Sequence, residues 1–179
     1  MRVVVLGNAG SGKSTLARFI ARHGAIEHLD LDTVAWEPGQ IAMPRAPADA
    51  RRDVELFCLS RSGWVAEGCY AGLVAVALAW RPRLILLNPG PLQCAANCRS
   101  RPWEPQKYAT RDEQDARLAG LLDWVAQYYV RDDEMSLAAH RACFDAYQGP
   151  KAELTGMPAL GPPDPVLVRW LCGVAAKGR

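Results

Sequence analysis

The chain lacks any long apolar run. Its longest, Leu73 to Trp80, stops at Arg81, well short of the roughly 18 residues that a membrane span requires. It also lacks a strong charge bias: 21 lysines and arginines against 19 acidic residues leave a net charge of +2, too little to argue for nucleic acid on its own. There is no internal repeat, no low-complexity tract and no paired cysteine motif of the zinc-binding kind. Cys58, Cys69, Cys94, Cys98, Cys143 and Cys172 are scattered, several at apolar positions of predicted helices, and read as small buried hydrophobes in a reducing compartment. Cys94 and Cys98 can share a helix face, but two thiols without a second pair make a poor zinc site. Met1 runs directly into a strand pattern, which leaves no room for a leader, so a cytoplasmic protein is expected.

What remains is the balance of an ordinary globular domain. Half of the 179 residues are apolar or aromatic and 22% are charged, and a chain of this length forms most simply one α/β domain spanning 1–179 that buries roughly 70% of its unfolded surface.

The most informative stretch is Val3-Val4-Val5-Leu6-Gly7-Asn8-Ala9-Gly10-Ser11-Gly12-Lys13-Ser14-Thr15. Four apolar residues lead through GxxxxGK[ST] into Leu16, Phe19 and Ile20 at helical spacing, so the motif joins a buried strand to a helix start. Glycines there let successive N–H groups converge on an anion at the positive end of a helix. The lysine can reach the β- and γ-phosphates and the serine hydroxyl can serve Mg²⁺. Gly7, Asn8, Ala9, Gly10, Ser11, Gly12, Lys13, Ser14 and Thr15 are therefore the expected nucleotide-binding residues.

Strand and helix patterns alternate along the rest. Strands are expected at Ile26–Leu29, Trp64–Ala66, Arg83–Leu87 and Lys151–Thr155. Helices are expected at Asp49–Arg61, Asp112–Val130, Ser136–Tyr147 and Val166–Val174, with a shorter one within Gly72–Trp80 and loops at Trp36–Pro47 and Gly156–Pro165. Such alternation implies a parallel sheet covered on both faces, with ligands at the carboxyl ends of its strands.

Three carboxylates follow those ends. Asp30 and Asp32, spaced i and i+2 after the second strand, can orient Mg²⁺ and accept a proton from a substrate hydroxyl; the alternative is that they cap the following turn. Glu67 holds the equivalent place on the third strand, or is a surface residue at a strand end. Asn88 stands where many NTPases place a metal-linked aspartate, so another carboxylate is needed for Mg²⁺, and Ser14 with Asp32 is the expected pair. The base-reading NKxD signature of GTPases is absent.

Beyond Pro91, Arg99, Arg101, Lys107 and Arg111 are interleaved with Trp103 and Tyr108. This basic, lid-like segment at about 92–111 can supply Arg99, Arg101 and Arg111 to a migrating phosphoryl group. It can equally form a solvated strip or one that faces RNA.

GNAGSGKST, HLDLDTVAW, WVAEGCY and RLILLNPG together resemble the small P-loop kinases, in particular bacterial adenylate kinase-like, shikimate kinase-like and DNA topology modulation-like proteins. The resemblance covers about residues 1 to 100. It implies a three-layer α/β/α P-loop NTPase fold, a five-stranded parallel sheet of order 2-3-1-4-5, a lid after the fourth strand, and adenine beside the loop Gly156 to Pro163. Shikimate-type kinases place an aspartate pair after the second strand, matched here by Asp30 and Asp32. Neither the arginine spacing of adenylate kinases nor the shikimate-binding pattern is present. The expected function is thus an ATP- and Mg²⁺-dependent kinase on a small metabolite or nucleotide whose acceptor the sequence does not name. Lys13, Asp32, Asp30, Glu67 and the three arginines carry the chemistry. The alternative is a nucleotide-binding regulatory ATPase whose basic segment contacts nucleic acid or a protein.

Overall fold

The computed structural model describes residues 1–37, 43–104 and 108–157. The expected helix Val166–Val174 and most of the loop Gly156–Pro165 lie outside these residues. Thirteen elements follow one another among them: β1 Arg2–Gly7, α1 Lys13–Gly24, β2 Glu27–Asp30, α2 Asp32–Ala35, α3 Pro47–Leu59, β3 Trp64–Gly68, α4 Ala71–Leu78, β4 Arg83–Leu87, α5 Pro91–Arg99, α6 Arg111–Ala116, α7 Leu118–Gln127, α8 Leu137–Ala146 and β5 Lys151–Leu154.

The strands form a parallel sheet of order β2-β3-β1-β4-β5, as the resemblance implies. β1 lies at the centre because Val3 to Leu6 give it apolar side chains on both faces, all fully buried. Val3 and Val5 pack with Val65, Ile85 and Leu87 against Leu16, Ala17 and Ile20 of α1. Val4 and Leu6 face the other way, with Trp64, Leu84 and Leu86, toward α3 and α4. Burying each such side chain contributes about 1.5–3 kcal/mol, so the two-sided alternation fixes the three layers. From β1 the chain crosses to β2 at one edge and returns to β3 beside β1, and the next connection carries it from β3 to β4 on the other side of β1. That switch opens a crevice at the carboxyl ends of the strands, where Gly7, Asp30, Glu67 and Leu87 lie.

The region expected as one helix over Asp112–Val130 is two. α6 begins at Thr110, whose hydroxyl accepts from Glu113 N at 3.1 Å, and ends at Arg117 (φ −90, ψ −6). There the chain tightens into an i to i−3 bond, Arg117 N to Gln114 O at 3.2 Å. Beyond the break, α7 packs Val125, with Leu118, Leu121 and Leu122, onto Cys94 and Cys98 of α5. The first part of the lid-like segment is helical: it is α5, with both cysteines buried.

Candidate functional site

The loop between β1 and α1 is shaped by backbone that only glycine adopts easily. Gly10 (φ +73) and Gly12 (φ +96) are left-handed, and a Cβ on Gly10 comes 2.3 Å from the Cys94 carbonyl oxygen. Gly7 is as tightly placed, 2.3 Å from the Leu87 carbonyl oxygen by the same measure. The loop is also tethered from outside. Asn8 Nδ2 donates to Val125 O of α7 at 3.0 Å, and Asn97 Nδ2 of α5 donates to Gly10 O at 2.7 Å.

Lys13 is buried, and its Nζ donates to Asn8 O across the loop at 2.9 Å. Ser11 Oγ and Asn8 Oδ1 are buried with no hydrogen-bond partner among the described residues. A glycine-turned loop at a helix N-terminus, with a lysine folded over it and polar atoms unsatisfied within it, fits an anion of phosphate type.

The carboxylates reach the same cleft, a cavity of about 1720 Å³ lined by the loop, Asp30, Asp32 and Glu67. Glu67 is 2% exposed. Burial pushes its carboxyl up, but the neighbouring polar groups of His28 and Ser14 and the charge of Lys13 outweigh that and hold it below the usual carboxylate range. His28 Nε2 lies 3.6 Å from its Oε1. Glu67 thus stands beside the loop serine at the end of β3. Asn88 itself is turned elsewhere: its Oδ1 accepts from Tyr129 O–H at 3.1 Å, and its N–H donates to Leu154 O.

Asp30 Oδ1 accepts from Asp32 N at 3.0 Å, so it shapes the turn while facing the cleft. Asp32 Oδ1 accepts the phenolic proton of Tyr70 at 2.7 Å, and Tyr70 oxygen accepts Trp36 Nε1–H at 2.7 Å. Burial, with Asp32 alongside, pushes the Tyr70 phenol upward, so it stays a donor.

The donors Ser14, Asp32 and Glu67 are hard oxygens that suit Mg²⁺. Among the described residues no group of three or more His, Cys, Asp or Glu could hold a metal alone; Mg²⁺ is commonly held by one or two carboxylates together with substrate phosphates. Thiol chemistry is a poor fit, because burial pushes Cys69, beside the cleft, to about 12.

The arginines divide. Arg101 lines the cleft, paired with Glu104 at 3.2 Å. Arg99 lines a small side cavity with Asp115 and Leu118 instead. Arg111 is exposed and pairs with Asp115 at 3.5 Å, outside the residues that line the cleft. Arg18 and Arg117 line it instead, and sequence reasoning passed over both. It also missed Tyr70, Trp36 and Trp124 as cleft residues. The aromatic W and Y inside HLDLDTVAW and WVAEGCY were the available signal.

Behind Tyr70 stands a buried histidine. His140 Nε2 lies 2.7 Å from Cys69 O and its Nδ1 lies 2.9 Å from Tyr128 O–H. With Nε2 protonated both bonds are satisfied, and burial pushes its pKa down to about 4. The neutral ring ties α7 and α8 to the end of β3.

No protein-family model matches the chain, and no curated protein does. Among solved structures, a gluconokinase from Sinorhizobium meliloti 1021 is similar over 97% of this chain and 90% of its own, with a TM-score of 0.56 and 16% identity. A sugar kinase from Janibacter sp. HTCC2649 is similar over 86% of this chain and 83% of its own, with a TM-score of 0.50 and 16% identity. At such identities the likeness is one of fold: the chain has the fold of the small P-loop kinases.

Proposed function

We propose that the protein is a phosphotransferase that moves the γ-phosphoryl group of ATP to a hydroxyl of a small metabolite. The observation that carries this reading is the gathering of Lys13, Ser14, Glu67 and Asp32 around one cleft at the strand ends, with Asp32 held by a tyrosine. The kinase names of the structures that share the fold agree with it.

Gly7 to Thr15 cradle the triphosphate, and Lys13 leaves Asn8 O to meet its β- and γ-phosphates. Ser14, with Asp32 or Glu67, holds Mg²⁺, which when bound neutralises phosphate charge. Asp32 receives the proton of the acceptor hydroxyl. The acceptor oxygen forms the new bond to phosphorus, the bond from the γ-phosphorus to its bridging oxygen breaks, and the electron pair leaves on ADP. Arg101 and Arg117 add positive charge beside the cleft. By analogy with the small P-loop kinases the adenine lies beside the loop from Gly156 to Pro163, and Thr155 and Gly156 at its start line the cleft.

The nucleic-acid reading draws less support. Arg101, Arg111 and Arg117 each have a carboxylate within 3.5 Å, which is a balanced surface rather than a basic strip. The test is the Asp32→Asn variant. It should bind ATP as the wild type does and lose acceptor-stimulated ADP formation by about 100-fold or more. Unchanged turnover in that variant removes Asp32 from the reaction.

A further inference from the structure

Gly10 lies directly on α5: a Cβ added there comes 2.3 Å from Cys94 O and 2.7 Å from Cys98 Sγ. From the same side of the helix, half-buried Asn97 donates through Nδ2 to Gly10 O at 2.7 Å. Its Oδ1 accepts from Nε2 of Gln93, one helical turn earlier, at 2.8 Å. With the amide oxygen taken by a donor, the Asn97 side chain is turned so that its NH₂ group faces the loop. Gln93 and Asn97 both line the cleft, and both lie far outside the GxxxxGK[ST] motif.

The bond acts on one peptide plane. In a trans peptide the C=O and the N–H point in opposite directions, so fixing Gly10 O on α5 also fixes the N–H of Ser11. That N–H donates to Asn8 O at 3.2 Å and closes the turn from Asn8 to Ser11. Asn8 is held in its turn by the bond from its Nδ2 to Val125 O of α7 at 3.0 Å. Gly10, at φ +73, offers little steric resistance to rotation of the plane that follows it. Half a turn of that plane lifts the carbonyl oxygen off α5 and into the loop, where it repels an anion. The Asn97 amide opposes this rotation from outside, because the rotation breaks its bond to Gly10 O.

We infer that Asn97, with Gln93 behind it, is a positioning residue for phosphate binding. It acts through Gly10 O and holds the Gly10–Ser11 peptide in the orientation that leaves the loop open to an anion. This rests on the phosphate-binding part of the kinase reading and deepens it by making α5 part of the loop. Orienting the peptide before the ligand arrives lowers the ordering cost of binding.

The test is calorimetric titration of the full chain with ATP and, separately, with inorganic tripolyphosphate, beside a denaturant melt of each variant. Asn97→Ala should weaken both ligands by the same factor, about fivefold to tenfold, the net worth of one hydrogen bond. Gln93→Ala removes an exposed side chain and should weaken both by about twofold. The double variant should bind no more weakly than Asn97→Ala alone, since Gln93 acts through Asn97. Folded Asn97→Ala with wild-type affinity for tripolyphosphate overturns the inference, and a loss seen with ATP alone makes Asn97 a nucleoside contact instead. Losses that multiply in the double variant overturn it as well. If Asn97→Ala does not fold, Gln93→Ala decides, and unchanged tripolyphosphate affinity there overturns the inference. A wild type that binds neither compound overturns it together with the phosphate loop. Failure of the kinase reading looks different: the wild type binds both compounds and Asn97→Ala weakens both, yet the γ-phosphoryl group of ATP reaches no acceptor.

Discussion

Tyr70 donates its phenolic proton to Asp32 at 2.7 Å while its oxygen accepts the indole N–H of Trp36 at the same distance, so the carboxylate at the start of α2 is oriented by the residue that precedes α4. Tyr70→Phe leaves the ring in place and removes both bonds. Turnover should fall about tenfold, and stability by about 1 kcal/mol, while ATP affinity stays unchanged. Steady-state kinetics beside a nucleotide titration separate the two effects; a loss confined to ATP affinity contradicts a role for Tyr70 in positioning Asp32.

Gly10→Ala tests the loop as a shaped backbone. The residue has φ +73, and an added Cβ meets Cys94 O at 2.3 Å and Cys98 Sγ at 2.7 Å. The cost should be about 1–3 kcal/mol in stability, with at least tenfold weaker ATP binding, measured by denaturant unfolding and calorimetric titration.

Much of this was legible in the sequence because it depends on local pattern. Val3 to Leu6 read as a buried strand, and GxxxxGKST read as a phosphate loop. The Asp30 and Asp32 pair could be placed by its spacing after a strand, and the structure puts both at the cleft with Glu67. The parts that escaped depend on tertiary packing. Nothing local shows that the helix breaks at Arg117 and that α7 covers Cys94 and Cys98, or that Arg111 turns outward while Arg117 turns in. The link from Tyr70 to Asp32 joins residues 38 apart in sequence, and no periodicity reports it.

Glu67 should matter for metal use. It is buried beside Lys13 and Ser14 with its carboxyl held below the usual range, so it is ionised at neutral pH. Glu67→Gln should raise the Mg²⁺ concentration for half-maximal turnover by about tenfold, read from a magnesium titration at saturating ATP. An unaltered magnesium curve removes Glu67 from the metal site.

His140 gives the fold an acid sensitivity. Its folded pKa is pushed down to about 4 by burial, against about 6.5 unfolded, so between these values the unfolded chain binds the extra proton. Stability from the neutral ring is fully present above about pH 6.5 and is lost as pH falls toward 4, by up to about 3 kcal/mol. The difference in unfolding free energy between wild type and His140→Gln should shrink over that window. A difference that stays constant with pH excludes histidine titration as its source.

The central claim is phosphoryl transfer at the loop, and the most direct measurement follows the labelled γ-phosphoryl group of ATP in the wild type and in Lys13→Ala, with small hydroxyl acceptors present. The wild type should place label on an acceptor faster than on water, and Lys13→Ala should be slower by about 100-fold or more. Label recovered only as inorganic phosphate with every acceptor, or transfer by Lys13→Ala at near wild-type rate, contradicts the account.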